Sequence, residues 1–145
     1  MKYRKAVFVL PYSKTKNGIE YLLLKRKLHW KGWEFAKGKI EKGEEKEKTA
    51  RRELREETGH RALKIKKFGF SGKYSYKKSL KDRPGIRGQT FLLFAAEIKR
   101  QGRVSLDPKE HDGYMWADYK TAMKMLTWSN QRKSLRIVNS WLKNG

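Results

Sequence analysis

Apolar residues fall into short runs with distinct spacings. Residues 3–10 are β-branched and aromatic-rich, residues 19–24 form a second apolar run, and Asn17-Gly18 lies between them. That pattern predicts an N-terminal hairpin turning at Asn17-Gly18. A basic stretch over 25–31 leads to residues 33–38, a short extended piece. Residues 50–57 are mostly good helix formers and Gly59 is a natural stop, which predicts a helix there. Beyond it, Leu63, Ile65, Phe68 and Phe70 outline one or two strands, continued with period two through Tyr74-Ser75-Tyr76. Pro84-Gly85 marks a turn in a basic loop over 77–87. Residues 89–98 are nearly all apolar and predict a strand buried on both faces. Asp107-Pro108 is another turn, 113–117 a short strand, and Asp118 an N-cap for a helix over 119–126 with Ala122, Met125 and Leu126 inward. Leu135, Val138 and Leu142 at helical spacing predict a final helix from about Asn130. Strands around one central helix, closed by helices at the end, predict an α/β chain: a mixed sheet covered on both sides.

Composition changes this picture in two ways. The 145 residues fit one domain spanning 1–145 and include no cysteine, so disulfide frameworks and thiolate metal sites are excluded and a cytoplasmic protein is expected. The apolar run at 6–10 is too short for a signal-peptide core or a membrane span, and no membrane partner is expected. Charge is the second feature. Lys and Arg number 37 against 15 Asp and Glu, a net +22. Seven acids (Glu41, Glu44, Glu45, Glu47, Glu53, Glu56, Glu57) crowd into residues 41–57 beside six basic residues, so that window is −1 and the rest of the chain +23. An acidic spot on a basic body attracts polyanions and concentrates them at that spot.

The acidic spot has internal order. Glu53 lies three residues before Glu56 and four before Glu57, which brings three carboxylates to one helical face. Three such charges repel unless neutralised, and a hard divalent cation, Mg²⁺ or Mn²⁺, suits an all-oxygen donor set. Arg52 is placed to hold one carboxylate by a charge-assisted bond. Gly38 and Gly43 allow the preceding loop to approach an ion or phosphate closely. Lys37 and Lys39 flank Gly38 and are candidates for phosphate oxygens. Tyr76, Tyr114 and Trp128 are aromatics in basic segments, candidates for stacking on a base.

From Gly38 to Gly59 the chain fits every polar and glycine position of G-x5-E-x7-R-E-U-x-E-E-x-G-U, where U is bulky and aliphatic. His60 departs from the final U. This is the Nudix box, and the chain resembles a Nudix hydrolase. The approach, Trp33-Glu34-Phe35-Ala36-Lys37-Gly38, resembles W-x-F-P-K-G with Ala36 in place of proline. The resemblance implies a Nudix-type α/β/α sandwich with a mixed sheet. It implies a metal held by Glu53, Glu56, Glu57 and the Gly38 carbonyl, and metal-assisted attack of water on a nucleoside polyphosphate. The general base is either a box glutamate or Glu110.

Two subfamilies compete for the substrate. Glu110-His111-x-x-Tyr114-x-Trp116 resembles a segment of dinucleoside tetraphosphate hydrolases, as do Leu126-Thr127-Trp128 and the Trp33 to Gly38 approach, which implies asymmetric cleavage to NTP and NMP. Glu110, Asp112, Gly113 and Trp116 also match the E-x-D-G-x-x-W string of RNA 5′-pyrophosphohydrolases, so an RNA-end or decapping-type enzyme is the alternative, with RNA as a further partner. A non-catalytic RNA-binding module is a third reading; the four intact box glutamates and Arg52 weigh against it. Oligomeric state stays open between monomer and dimer.

Overall fold

The computed structural model of the chain describes residues 2–76 and 80–144; residues 77–79 of the basic loop expected at 77–87 lie outside the described residues. The order is β1 (Lys2–Thr15), β2 (Gly18–Arg26), β3 (Gly32–Glu34), β4 (Ala36–Lys39), α1 (Lys46–Thr58), β5 (Lys64–Ser75), β6 (Ile86–Glu97), β7 (His111–Ala117), α2 (Tyr119–Met125) and α3 (Ser129–Asn144). The N-terminal hairpin forms with its turn one residue earlier than the Asn-Gly signal implies. Lys16 and Asn17 make the connection, and Gly18, at φ +115°, is the first residue of β2. Only the glycine there adopts positive φ, so the turn is set by Gly18 alone and not by the pair.

One mixed seven-stranded sheet runs β3-β2-β1-β6-β5, with β4 on β1 and β7 on β2. β1 and β6 pair in parallel from Lys2 to Tyr12, and the other pairings are antiparallel. β6 occupies one edge of β1 along this length. On the other edge β2 pairs only at residues 12–15 and β4 at 6–9. The hairpin strands therefore separate, and the β3–β4 segment enters the opening. This is what delivers Glu34, Lys37 and Gly38 to the middle of the sheet.

Alternation along β1 sends its side chains to two cores. Phe8, Leu10 and Tyr12 join Ala122, Leu126, Leu135 and Val138 beneath α2 and α3. Val7 and Val9 join Ala50 and Leu54 beneath α1. The parallel β1–β6 pair is covered on both faces, which explains why residues 89–98 read as a continuous apolar run. β5 is one 12-residue strand whose register shifts between Lys67 and Ser71. Asp118 caps α2 through Thr121 N at 2.9 Å, and Gly59 closes α1 in the left-handed conformation at φ +77°. Among the described residues no helix is long and apolar enough to cross a membrane.

Candidate active site

The box helix is anchored to the loop before it by one guanidinium. Arg52 donates from Nε and Nη2 to the two oxygens of Glu44 at 2.8 and 2.9 Å, and from Nη2 to the Lys39 carbonyl at 3.0 Å. Its Nη1 donates to Glu53 at 2.8 Å and to Glu56 at 3.3 Å. Bidentate contact fixes the orientation of both partners, and the Arg52 bonds hold Glu44 down to about 2. The spacing of 44 and 52 therefore ties loop to helix.

The three clustered glutamates of α1, Glu53, Glu56 and Glu57, differ in exposure. Glu53 and Glu57 are buried, whereas the Glu56 side chain is 55% exposed. Glu53 packs so closely against Gly38 that a Cβ there would fall 1.9 Å from its carboxyl carbon, so any side chain at this position would displace the Glu53 carboxyl. Burial drives the Glu53 carboxyl up to about 7, and Glu56 and Glu110 add to the rise against the Arg52 charge. Glu57 is also pushed well above the usual carboxylate range, first by burial and then by the fields of Glu34, Glu110 and Glu53. One of its oxygens accepts from Lys37 N at 3.1 Å. The other, Oε1, is buried with no hydrogen-bond partner.

Beside these acids lies a second buried cluster that the chain pattern did not reveal as a unit. Glu34, fully buried, is met by Arg26 Nη1 at 3.2 Å, Lys37 Nζ at 3.2 Å and His111 Nε2 at 2.7 Å. Burial disfavours its charge, but Lys37, His111 and Arg26 outweigh that and hold Glu34 down to about 2. Arg26 also donates to Glu110 at 2.8 Å and, from Nε, to the Leu28 carbonyl at 2.8 Å. A carboxylate only accepts, so the Glu34 contact puts the ring proton of His111 on Nε2. Nδ1 of the same ring faces Glu57 Oε1 at 3.9 Å, beyond hydrogen-bonding distance, and neither atom has a partner. β2, β3, β4 and β7 each contribute to this cluster. Alternation offered one signal: Glu34 sits between Trp33 and Phe35, and Arg26 closes an apolar strand.

Lys37 links the acids to a cavity. Its backbone binds Glu57, and its ammonium, 5.7 and 5.9 Å from the Trp30 and Tyr74 ring centres, lines a cavity of about 360 Å³. Tyr74, Tyr76, Trp30, Trp128 and Arg83 also line it. Gln89, buried in β6, organises one wall: its Nε2 donates to Tyr74 Oη at 2.9 Å, and its Oε1 accepts from Tyr76 Oη at 3.2 Å and Arg83 at 3.0 Å. Trp30 meets Trp128 edge to face at 5.2 Å. Of the aromatics expected at a base, Tyr76 and Trp128 line the cavity. Tyr114 is 44% exposed on β7 and does not. Lys39 is exposed and offers Arg52 its carbonyl. Ala36, at the usual proline position, is a fully buried residue of β4 paired with Val9, and His60 lies outside the site, its Nε2 3.0 Å from the Arg103 carbonyl.

Among the described residues no three Asp, Glu or His side chains are arranged to enclose a metal ion as they stand. The donors nevertheless fit a divalent cation: Glu57 Oε1 is buried and unpartnered, Glu53 lies against Gly38, and the carboxylates exceed the nearby positive charge.

This fold and site are those of a Nudix protein: the NUDIX domain family model matches residues 2–137, and the chain belongs to that family. Its relatives are enzymes, and the chain is a Nudix hydrolase. It is similar to an RNA pyrophosphohydrolase of a Nitratiruptor species, 28% identical over 131 residues, covering 88% of this chain and 84% of that one. It is also similar to the asymmetrical bis(5'-nucleosyl)-tetraphosphatase of Mus musculus, 29% identical over 125 residues, with 86% and 81% covered. A C. elegans Ap4A hydrolase binary complex superposes with a TM-score of 0.80 at 22% identity, covering 98% and 99% of the two chains. That identity speaks for the fold.

Proposed function

We propose that the protein is a metal-dependent pyrophosphohydrolase of nucleoside polyphosphates and that its preferred substrate is a dinucleoside tetraphosphate, hydrolysed to NTP and NMP. The observation that carries this reading is Lys37, whose backbone holds a buried, under-neutralised carboxylate while its side chain enters an aromatic cavity. Phosphates and a base of one nucleotide have their complements on either side of that residue.

In this reading Glu53, Glu56, Glu57 and the Gly38 carbonyl hold Mg²⁺ or Mn²⁺, which when bound stabilises charge on the polyphosphate and favours ionisation of water. Arg52 is a positioning residue: through Glu44 and the Lys39 carbonyl it locks the loop, and through Nη1 it orients Glu53 and Glu56. Lys37 and Lys39 attract phosphate oxygens, Lys37 from a position fixed by Glu34. Tyr76 and Trp128 offer ring faces to a base, and Tyr114 an exposed face to the second nucleoside. Glu110 is the general base, with one oxygen tied to Arg26; a box glutamate is the competing candidate, and the pH profile of Glu110→Gln discriminates between them.

The mouse relative's name supports the dinucleotide substrate, and the Nitratiruptor relative's name supports RNA 5′ ends. A Mg²⁺-containing panel of dinucleoside polyphosphates, 5′-triphosphorylated RNA, nucleotide sugars and oxidised nucleoside triphosphates tests the proposal. The dinucleoside tetraphosphate should give the highest kcat/KM. An advantage of about tenfold, or 1.4 kcal/mol, for triphosphorylated RNA would replace this reading with the RNA one.

A further inference from the structure

β5 and α3 carry a charge pattern that hydrolysis at the box does not use. β5 contributes four lysines and α3 four Lys or Arg residues, and neither element contains an Asp or Glu. Among the described residues none of these eight cations forms a salt bridge. On α1, by contrast, two of the five cations, Arg51 and Arg52, are paired to glutamates. In the sheet register the acid nearest this face is Glu97, opposite Lys64 at the far end.

The two elements lie along one another. α3 starts at the aromatic cavity, where Ser129, Asn130 and Gln131 line the wall opposite Tyr74 and Tyr76. Farther along, Lys133 stands 5.5 Å over the Phe70 ring, and then Trp141 meets Phe68 edge to face at 5.5 Å. Lys66 lies 5.5 Å from both the Phe68 and Trp141 rings, and it borders a second, open cavity with Lys64, Lys67 and Trp141. A line of ammonium groups thus leaves the nucleotide cavity and follows β5 past the half-buried rings of Phe70 and Trp141 and the buried ring of Phe68. From Tyr74 to Phe68 it covers about 20 Å at the rise of a strand.

We propose that this β5–α3 groove binds the body of a single-stranded nucleic acid, with Lys66 and Lys133 on successive phosphates and Phe70 and Trp141 beside the bases. Alternating cations and aromatic faces match a strand that presents phosphates and flat rings in alternation. An acidic peptide would use the cations and leave the rings without a partner. The proposal rests on the nucleotide reading of the cavity only for where the strand's first residue sits.

The test is fluorescence anisotropy on the full chain in chelator, where no hydrolysis occurs, with a 5′-hydroxyl oligoadenylate RNA labelled at its 3′ end. Lys66→Glu/Lys133→Glu should weaken binding by about tenfold, and the slope of log Kd against log salt should become shallower by roughly 0.7 for each lost phosphate contact. Lys66→Gln/Lys133→Gln should show a smaller loss in the same direction and guards against misfolding of the charge reversal. Lys120→Glu/Lys124→Glu on α2 should bind as the parent does. Turnover of the dinucleoside tetraphosphate should stay within about twofold in all three. The proposal is overturned by unchanged RNA binding in both groove variants, by equal loss in the α2 variant, or by polyglutamate of equal length competing as well as RNA. Absence of dinucleotide hydrolysis in the parent protein would overturn the substrate reading and leave the groove standing.

Discussion

Glu34 and Glu57 stand on either side of His111, both buried, and their surroundings treat them in opposite ways. Glu34 has Arg26, Lys37 and His111 within 3.2 Å and is held ionised. Glu57 has one backbone N–H, its other oxygen lies 3.9 Å from His111 Nδ1 with no hydrogen-bond partner, and burial pushes its carboxyl up. The first carboxylate is neutralised by the chain and belongs to the scaffold. In the proposed function, the second is left for a metal cation. On the two sides of one histidine, the number of internal partners distinguishes the two buried acids.

The largest effect that could break this comparison is on turnover. Glu57→Gln and Glu56→Gln should each lower kcat by at least about 100-fold in saturating Mg²⁺, beyond the loss expected from a merely supporting residue. Circular dichroism should be unchanged, and metal-free Glu57→Gln should melt higher than the parent because a repelled buried charge is gone. Stability should respond with the opposite sign at the other acid. Glu34→Gln strands the buried Lys37, leaves Arg26 with Glu110 alone, and should cost about 3–5 kcal/mol in denaturant unfolding. A stabilised Glu34→Gln would erase the distinction.

Acidity sharpens it further. Glu34 falls from 4.5 to about 2 on folding, so its contribution is complete above pH 4.5 and is lost as pH drops toward 2. Glu53 rises from 4.5 to about 7 in the metal-free protein, so its contribution is complete below pH 4.5 and is lost as pH climbs through 7. Melting temperature in chelator should therefore decline on both sides of mildly acidic pH, and Mg²⁺ should remove the alkaline decline alone. A decline that Mg²⁺ leaves untouched would detach Glu53 from the metal.

Smaller effects belong to substrate capture. Tyr76→Ala should raise KM more than it lowers kcat, by a factor corresponding to about 1–3 kcal/mol, since stacking holds substrate and transition state alike. Equal falls in kcat and kcat/KM would assign Tyr76 to the reacting centre. Raising ionic strength from about 0.01 to 0.15 M, which shortens the screening length from about 30 to 8 Å, should reduce kcat/KM and leave kcat nearly constant.

The cluster of acids on α1 was legible in the chain and the buried Glu34 cluster was not, for a physical reason. Glu53, Glu56 and Glu57 are helix neighbours, so spacing alone places them, and Gly38 announces the close approach that its missing Cβ permits. Arg26, Glu34, Lys37 and His111 come from four separate strands, and Glu110 from the turn just before β7. They meet only because β2 leaves β1 and lets β3 and β4 enter, which local periodicity does not encode. The aromatic cavity was half legible. Tyr76 and Trp128 stood out as aromatics in basic segments, but Trp30 and Tyr74 lacked any mark until α3 was laid beside β5. The Asn17-Gly18 turn slipped by one residue because Gly18 alone took the positive φ.

The most direct test of a cation waiting at Glu57 is binding of Mn²⁺ itself, titrated calorimetrically or by its paramagnetic signal into the parent protein and Glu57→Gln at neutral pH without substrate. The parent should bind Mn²⁺, and the variant should bind it at least about tenfold more weakly with its fold intact. Equal affinity in the two proteins would contradict the account.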